Sequence, residues 1–344
     1  MDYRKQMIVN PGQKLRLKDV DPAFKGETHD SAAQELERYR QKLGQLQALL
    51  YAEKKHSVLI VLQALDAGGK DGTVSHVFTA FTPQGTSVVS FKQPAPLDHD
   101  FLWRIHPHAP PKGGVAIFNR SHYEDVLIAR VHKLVDKPTL TARYDRIRSF
   151  ELGLRESGTT IVKFFLHISK EEQLARFAQR LDDPARNWKI SESDYTERAL
   201  WDDYVEAFED ALAATSTREA PWYVIPADHK WFRNLAVSRI VADSMEELNM
   251  AFPKPTVDLT DIRRKYHAAA EEERRDKRPE AAAPRKSAKP RDYSDDHIGH
   301  FGPSRGQAQN ASEHSASAVR TYCPRPAGRR GAWRLSRRGL PGSG

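Results

Sequence analysis

The stretch Ser57–Thr73, SVLIVLQALDAGGKDGT, limits the possible folds of this chain more than any other part of it. An apolar run of one strand's length ends in a turn that carries Gly68, Gly69 and Gly72 around a single lysine, Lys70, and Val74–Phe81 then reads as a helix. Strand, glycine turn and helix in this order make a loop whose backbone N–H groups can curl around an anion. The glycines permit the close approach, the lysine reaches the terminal charge, and the helix N-terminus adds positive potential. On this reading the loop backbone and side chains of Ala67, Gly68, Gly69, Asp71, Gly72 and Thr73 surround phosphate oxygens. The spacing departs from G-x-x-x-x-G-K-[ST] at two places: Ala64 replaces the first glycine, and Asp71 stands where a metal-binding hydroxyl belongs. Asp66 is then the carboxylate expected to hold a metal, with Thr73 a weaker candidate.

Residues 1–267 alternate apolar runs with longer periodic segments. The strand candidates are Ser57–Ala64, Ser87–Phe91, Gly114–Phe118, Thr159–His167 and Trp222–Pro226, and a long helix is predicted from about Asp30 to Lys55. This alternation predicts an α/β fold with a parallel sheet covered on both faces. Residues 1–28 read as an extended opening segment, Pro11–Lys25 in particular.

Two further segments carry chemistry. In GVAIFNRSHYEDVL a strand stops at a polar cluster and passes into a helix, and ligands of open α/β sheets bind at such carboxyl ends. Asn119 occupies the place where a metal-binding aspartate is usual, so metal charge falls to Asp66 with Glu124 or Asp125; Arg120 offers a planar fork for phosphate oxygens. His122 reads as a packing residue at the helix start. In SKEEQLARFAQRLDDPARNWKIS, Ser169 and Glu172 have the spacing of a capping box, Arg176 and Arg180 share a helix face, and Asp183-Pro184 breaks the helix before Lys189. A basic helical hairpin over residues 169–212 is a lid that excludes water and stabilises charge on a transferring group. Lys112 and Arg130 are candidate members of a cationic groove.

The formal charge of +8 might point to nucleic acid, but its distribution does not. Residues 271–344 hold 16 Lys and Arg against 9 Asp and Glu, leaving 38 against 37 for residues 1–270. Anion chemistry in the body must therefore come from local clustering, and no specific nucleic-acid partner is expected. The segment 268–344, rich in Ala, Arg, Pro, Ser and Gly, reads as a disordered basic tail. Cys323, alone, excludes an intramolecular disulfide and a cysteine metal cage. There is no apolar stretch long enough to span a membrane and no apolar core of a secretory signal after Met1, so a cytoplasmic location is expected.

Taken together, LDAGGKDGT, FNRSHYEDVL and SKEEQLARFAQRLDDPARNWKIS resemble the polyphosphate kinase 2 family, over roughly Leu15 to Pro253. The resemblance implies a P-loop kinase-like three-layer α/β/α fold with a helical lid and dependence on Mg2+. It also implies homo-oligomers and reversible phosphoryl transfer between inorganic polyphosphate and nucleotides, ATP being formed from ADP. The Asn119 form belongs to the single-domain branch able to use AMP and ADP. By position the resemblance makes Asp66, Lys70, Asn119, Arg120 and Arg180 catalytic, and Arg176 and Lys189 phosphate-binding lid cations. Two other readings stay open: a non-catalytic polyanion-binding protein that uses the basic tail, and an ATP-dependent nucleoside or nucleotide kinase.

Overall fold

The computed structural model describes residues 2–26, 29–95 and 99–277. In chain order the elements are α1 (Tyr3–Met7), β1 (Ile8–Val9), α2 (His29–Glu53), β2 (Ser57–Gln63), α3 (Lys70–Val77), β3 (Thr86–Val89), β4 (Val115–Asn119), α4 (Glu124–Val131), α5 (Lys137–Glu156), β5 (Thr159–His167), α6 (Lys170–Asp182), α7 (Glu192–Ala199), α8 (Trp201–Thr215), β6 (Trp222–Pro226), α9 (Lys230–Glu246) and α10 (Leu259–Asp276). Two compact units divide the chain, Met1–Ala270 and Glu271–Gly344; the sheet and the helices α1 to α9 belong to the first. In the second, the described residues are Glu271–Asp276, which complete α10, and Lys277. The tail beyond it, Cys323 included, lies outside the described residues.

The six strands form one sheet in the order β1-β6-β5-β2-β4-β3, parallel throughout except for β1, which runs antiparallel to β6. Helices α2 and α3 pack on α9, which also lies against β5 and β6; α4, α5 and α8 form a second group, with α5 against β5. The middle strand β2 is buried along its whole length, as a strand covered on both faces must be. Its run Val58–Leu62 is fully buried, and each such side chain stabilises the fold by about 1.5–3 kcal/mol. From β2 the chain travels to the β3 edge, returns to β4 beside β2, and then crosses to β5 on the other flank of β2. This reversal places a crevice at the carboxyl ends of β2, β4 and β5, where open α/β sheets bind ligands.

Several expectations are corrected. The opening segment is not extended throughout: Tyr3–Met7 is helical with Asp2 as its cap, Ile8–Val9 adds a strand, and Leu17–Asp19 is a 3-10 turn. The second half of the expected lid belongs to the body, because α8 buries Trp201, Phe208, Ala211 and Leu212 against the core, leaving residues 170–199 as the hairpin. Helix α10 runs eight residues past Ala268, where the tail was expected to begin, although none of its residues is buried. At α6 only half of the capping box forms: Ser169 Oγ accepts from Glu172 N at 3.1 Å, while the Glu172 carboxylate turns to Arg176 Nε at 2.7 Å. The reciprocal box sits instead at Ser191 and Asp194, starting α7.

Candidate active site

The loop after β2 has the backbone shape that a phosphate cradle requires. Ala67 (φ 56°) and Gly69 (φ 100°) are left-handed, and Gly68 N donates to Leu65 O at 3.0 Å, closing the turn. Gly69 caps α3, so the free N–H groups of the first turn of that helix face the crevice. Lys70 is buried and folded back under the loop, its Nζ donating to Ala64 O (2.8 Å) and Leu65 O (3.3 Å). Burial, then repulsion from Arg120, lowers its pKa to about 8, against the pull of Asp66 and Glu124. Thr73 is fully buried with its hydroxyl donating to Gly69 O (3.1 Å), which ties the helix start together.

Arg120 leaves the end of β4 at φ 65°, a conformation that side chains other than glycine adopt only when their surroundings impose it. Here the backbone is held on both sides, with Arg120 N donating to Leu62 O (3.1 Å) and Phe91 N donating to Arg120 O (3.4 Å). The result aims the guanidinium back at the loop, where Nη2 meets Asp66 Oδ1 at 2.6 Å. Glu124 lies behind them, buried at the start of α4, and burial raises its pKa to about 7 despite Arg120 and Lys70 nearby. With its amide oriented to satisfy both ends, Gln63 donates to Glu124 Oε1 (3.0 Å) and accepts from Ser121 N (3.1 Å). Asp66, Lys70, Arg120 and Glu124 thus form one charged cluster from two strand-to-helix turns, β2–α3 and β4–α4.

Asn119 and Asp71 meet, a pairing that sequence reasoning missed. Asn119 Nδ2 donates to Asp71 Oδ1 at 2.7 Å, and Lys189 Nζ reaches Asp71 Oδ2 at 3.4 Å. Burial works to raise the Asp71 carboxyl, but Asn119 and Lys189 hold it below the usual range. The Asp71 departure in the loop and the Asn119 substitution at the strand end are therefore complementary: the carboxylate missing from the strand end has an equivalent on the helix. Noticing both substitutions as one exchange was the available signal.

The hairpin cations reach the loop, yet they hold protein atoms. Arg176 donates from Nε to Glu172, from Nη1 to Ala67 O (2.9 Å), and from Nη2 to Ala227 O (2.5 Å) and Asp228 O (3.2 Å), bracing the loop against the end of β6. Gln173 Nε2 adds a bond to Asp66 O (2.9 Å). Arg180 Nη1 donates to Lys189 O (3.1 Å) and pairs with Asp194 at 3.7 Å, tying the two arms of the hairpin together. Asp125, Lys112 and Arg130 do not join the cluster. Asp125 accepts from Ala95 N and Arg104, anchoring the segment before β4. Lys112 precedes β4 and so lies at the amino end of the sheet, away from the crevice, and Arg130 pairs with Glu206 and Asp210 of α8. His122 is fully buried and approaches Glu151 at 3.4 Å, the packing role expected of it.

Arg233, on α9, was not singled out from the sequence, where it is one charge inside an apolar helix. It is buried against Gly69 and Gly72: a Cβ built on Gly69 would fall within its guanidinium, and one on Gly72 would lie 3.2 Å from Nη2.

Beside the loop opens a cavity of about 800 Å³, lined by Asp66, Arg120 and Glu124 and, further along, by the apolar Leu127, Trp201 and Phe208. A larger open groove of about 1190 Å³ at the β1 edge is lined by Arg4, Arg239, Asp243 and Glu247; its charges are of both signs and Arg4 pairs with Glu247, so it has no surplus for a polyanion. Among the described residues no group of three or more His, Asp or Glu side chains is placed to hold a cation alone. A magnesium ion delivered with phosphates needs only one or two protein carboxylates. Asp66 and Glu124 fit that need, because part of what raises Glu124 is repulsion from Asp66, which a divalent cation relieves. Among the described residues no helix is long and apolar enough to cross a membrane.

A largely parallel sheet whose strand order reverses at a glycine loop, with a buried lysine beneath the loop and a helical hairpin whose Arg176 braces it, defines the P-loop kinase class; the hairpin, expected to be basic, carries six Lys and Arg against seven Asp and Glu over residues 170–199. Within that class, residues 26–253 match the family model described as polyphosphate kinase 2 (PPK2), and the chain belongs to that family. It is 49% identical over 257 residues to the AMP/ADP-polyphosphate phosphotransferase of Meiothermus ruber, covering 73% of this chain and 96% of that one. It is 44% identical over 271 residues to the ADP-polyphosphate phosphotransferase of Rhodopseudomonas palustris, covering 73% of this chain and 93% of that one. Among solved structures, polyphosphate kinase 2 from Arthrobacter aurescens TC1 superposes with a TM-score of 0.74 at 41% identity, covering 79% of this chain and 97% of that one.

Proposed function

We propose that this chain is a reversible, magnesium-dependent polyphosphate:nucleotide phosphotransferase acting on AMP and ADP. The observation that carries the reading is the pairing of Arg120 with Asp66 at a glycine loop with a buried lysine, Lys70, folded beneath it, on the edge of a cavity of about 800 Å³ that Asp66, Arg120 and Glu124 line. Phosphoryl transfer asks the protein for position and charge neutralisation more than for acid–base chemistry. The N–H groups of Ala67 and Gly69 and those of the first turn of α3, Lys70 to Gly72, hold phosphate oxygens, and Lys70 leaves its two carbonyls to meet the terminal phosphate. Arg120, fixed by its strained backbone, bridges oxygens of the group in transit. Arg180 and Lys189 approach as the hairpin closes, excluding water. Asp66, with Glu124 behind it, would hold Mg2+, which when bound neutralises phosphate charge. The apolar wall of Leu127, Trp201 and Phe208 suits the flat face of a nucleobase.

The experiment is formation of ATP from ADP and polyphosphate with magnesium. Lys70→Ala, shown folded by circular dichroism, is expected to lose about 10²- to 10³-fold in kcat, and wild-type turnover in that variant rejects the site. Running AMP, ADP, GMP and GDP as acceptors, with polyphosphate and ATP as alternative donors, separates this reading from an ATP-dependent kinase.

A further inference from the structure

We propose that Arg233 is an additional phosphate ligand of the glycine loop, contacting the oligophosphate held at Gly69 to Gly72; the assignment rests on the functional reading above. Arg233 is 3% exposed, on a helix whose neighbouring Phe232, Leu235 and Ala236 are core residues. Its Nε and Nη2 both donate to one acceptor, Asn234 Oδ1, at 3.1 and 2.8 Å, and Nη1 makes no hydrogen bond among the described residues. Nor does Arg233 form an ion pair among them. The charge that bears on it is another cation, Arg176, which already braces Ala67 O.

A buried guanidinium without a carboxylate is costly unless an anion completes it. Burial, with Arg176 adding to it, lowers Arg233 to about 9, which still leaves it charged at neutral pH. The group lies against Gly69 and Gly72, the glycines of the cradle, and its Nη1 occupies the space that a Cβ on left-handed Gly69 would enter. An anion drawn there is an oligophosphate, carried either by polyphosphate or by the tail of a nucleotide. Arg233 then supplies charge from α9, as Arg120 does from the end of β4.

The test compares wild type with Arg233→Met and Arg233→Lys, using tripolyphosphate and ADP as separate probes with magnesium. Binding is measured by titration calorimetry and melting temperature with and without probe. The expected result is that Arg233→Met melts at or above wild type without ligand, because an uncompensated charge has gone, yet binds one or both probes at least tenfold more weakly, with KM for that substrate raised more than kcat is lowered. The probe affected identifies whose phosphate occupies the loop. Arg233→Lys, which keeps the charge and loses the fork, should recover part of the affinity. Wild-type affinity for both probes in Arg233→Met would overturn the assignment and make the residue a brace. Should that variant not fold, the lysine variant decides: weakened binding supports the assignment and wild-type binding overturns it. Wild-type protein that binds neither probe sinks the functional reading and this assignment together, whereas unchanged binding in Arg233→Met sinks the assignment alone.

Discussion

Asn119 and Asp71 face each other across 2.7 Å, one at the end of β4 and one in the first turn of α3. Placing a second carboxylate in that contact sets like charges against each other, and removing the first restores the single negative charge of the pair. Asn119→Asp is therefore expected to lower kcat/KM by about tenfold or more, and Asn119→Asp with Asp71→Asn to recover much of the loss, a coupling of about 1–3 kcal/mol. Kinetics on the four proteins of that cycle measure it, and additive losses would show that the two residues act separately. Sequence reading placed both positions in the site but could not pair them, since a hydrogen bond between residues far apart in the chain has no local signature. Arg233 was illegible for a related reason: its meaning comes from Gly69, which only the docking of α9 brings near. Asp66, Lys70 and Arg120 were legible because a strand, a glycine turn and a lysine form one continuous piece of chain.

Among the elements, the five parallel strands were readable to within two residues; β2, β4, β5 and β6, buried on both faces, are nearly unbroken apolar runs, while β3, half-exposed at the sheet edge, is short and β-branched. Strand β1 was not, because two residues carry no period. The end of α10 was missed because charged, exposed residues with good helix propensity have the composition of a tail. What positions α4 and β5 is a buried network equally absent from any motif. Lys163 Nζ donates to Glu151 Oε2 (2.6 Å), Tyr123 OH (3.0 Å) and Thr215 O (2.8 Å), with no exposure at the lysine. Burial lowers Lys163, and although burial pushes Glu151 upward, Lys163 and His122 hold it below its ordinary 4.5. Lys163→Met leaves a buried carboxylate without its cation and should cost about 3–5 kcal/mol, read by urea unfolding. Because the native Glu151 titrates below its unfolded value, its contribution is complete above pH 4.5 and is lost as pH falls through the native value. Lys163→Met with Glu151→Gln should lack that acid-side loss; an unchanged profile would remove Glu151 from the account.

For the molecule as a whole, charge is divided unevenly. Residues 1–270 are near neutral by count, so the attraction for a polyanion comes from Lys70, Arg120, Arg176 and Arg233 gathered at one loop rather than from a general field. Truncation after Lys277 is accordingly expected to leave kcat/KM for polyphosphate within about twofold at moderate salt, where distant exposed charges are screened. A collapse of turnover in that truncation would assign the tail a part in catalysis and revive the reading in which it carries polyanion binding. The same gathering of cations bears on biosynthesis. The brace on Ala67 comes from α6 and the neighbour of Gly69 from α9, the last helix before the segment leading to α10. While the ribosome is still at work, a nascent chain whose glycine turn has emerged gains the Arg176 brace only once α6 has followed it and the Arg233 neighbour only once α9 has, so the loop acquires its full set of cations late in synthesis.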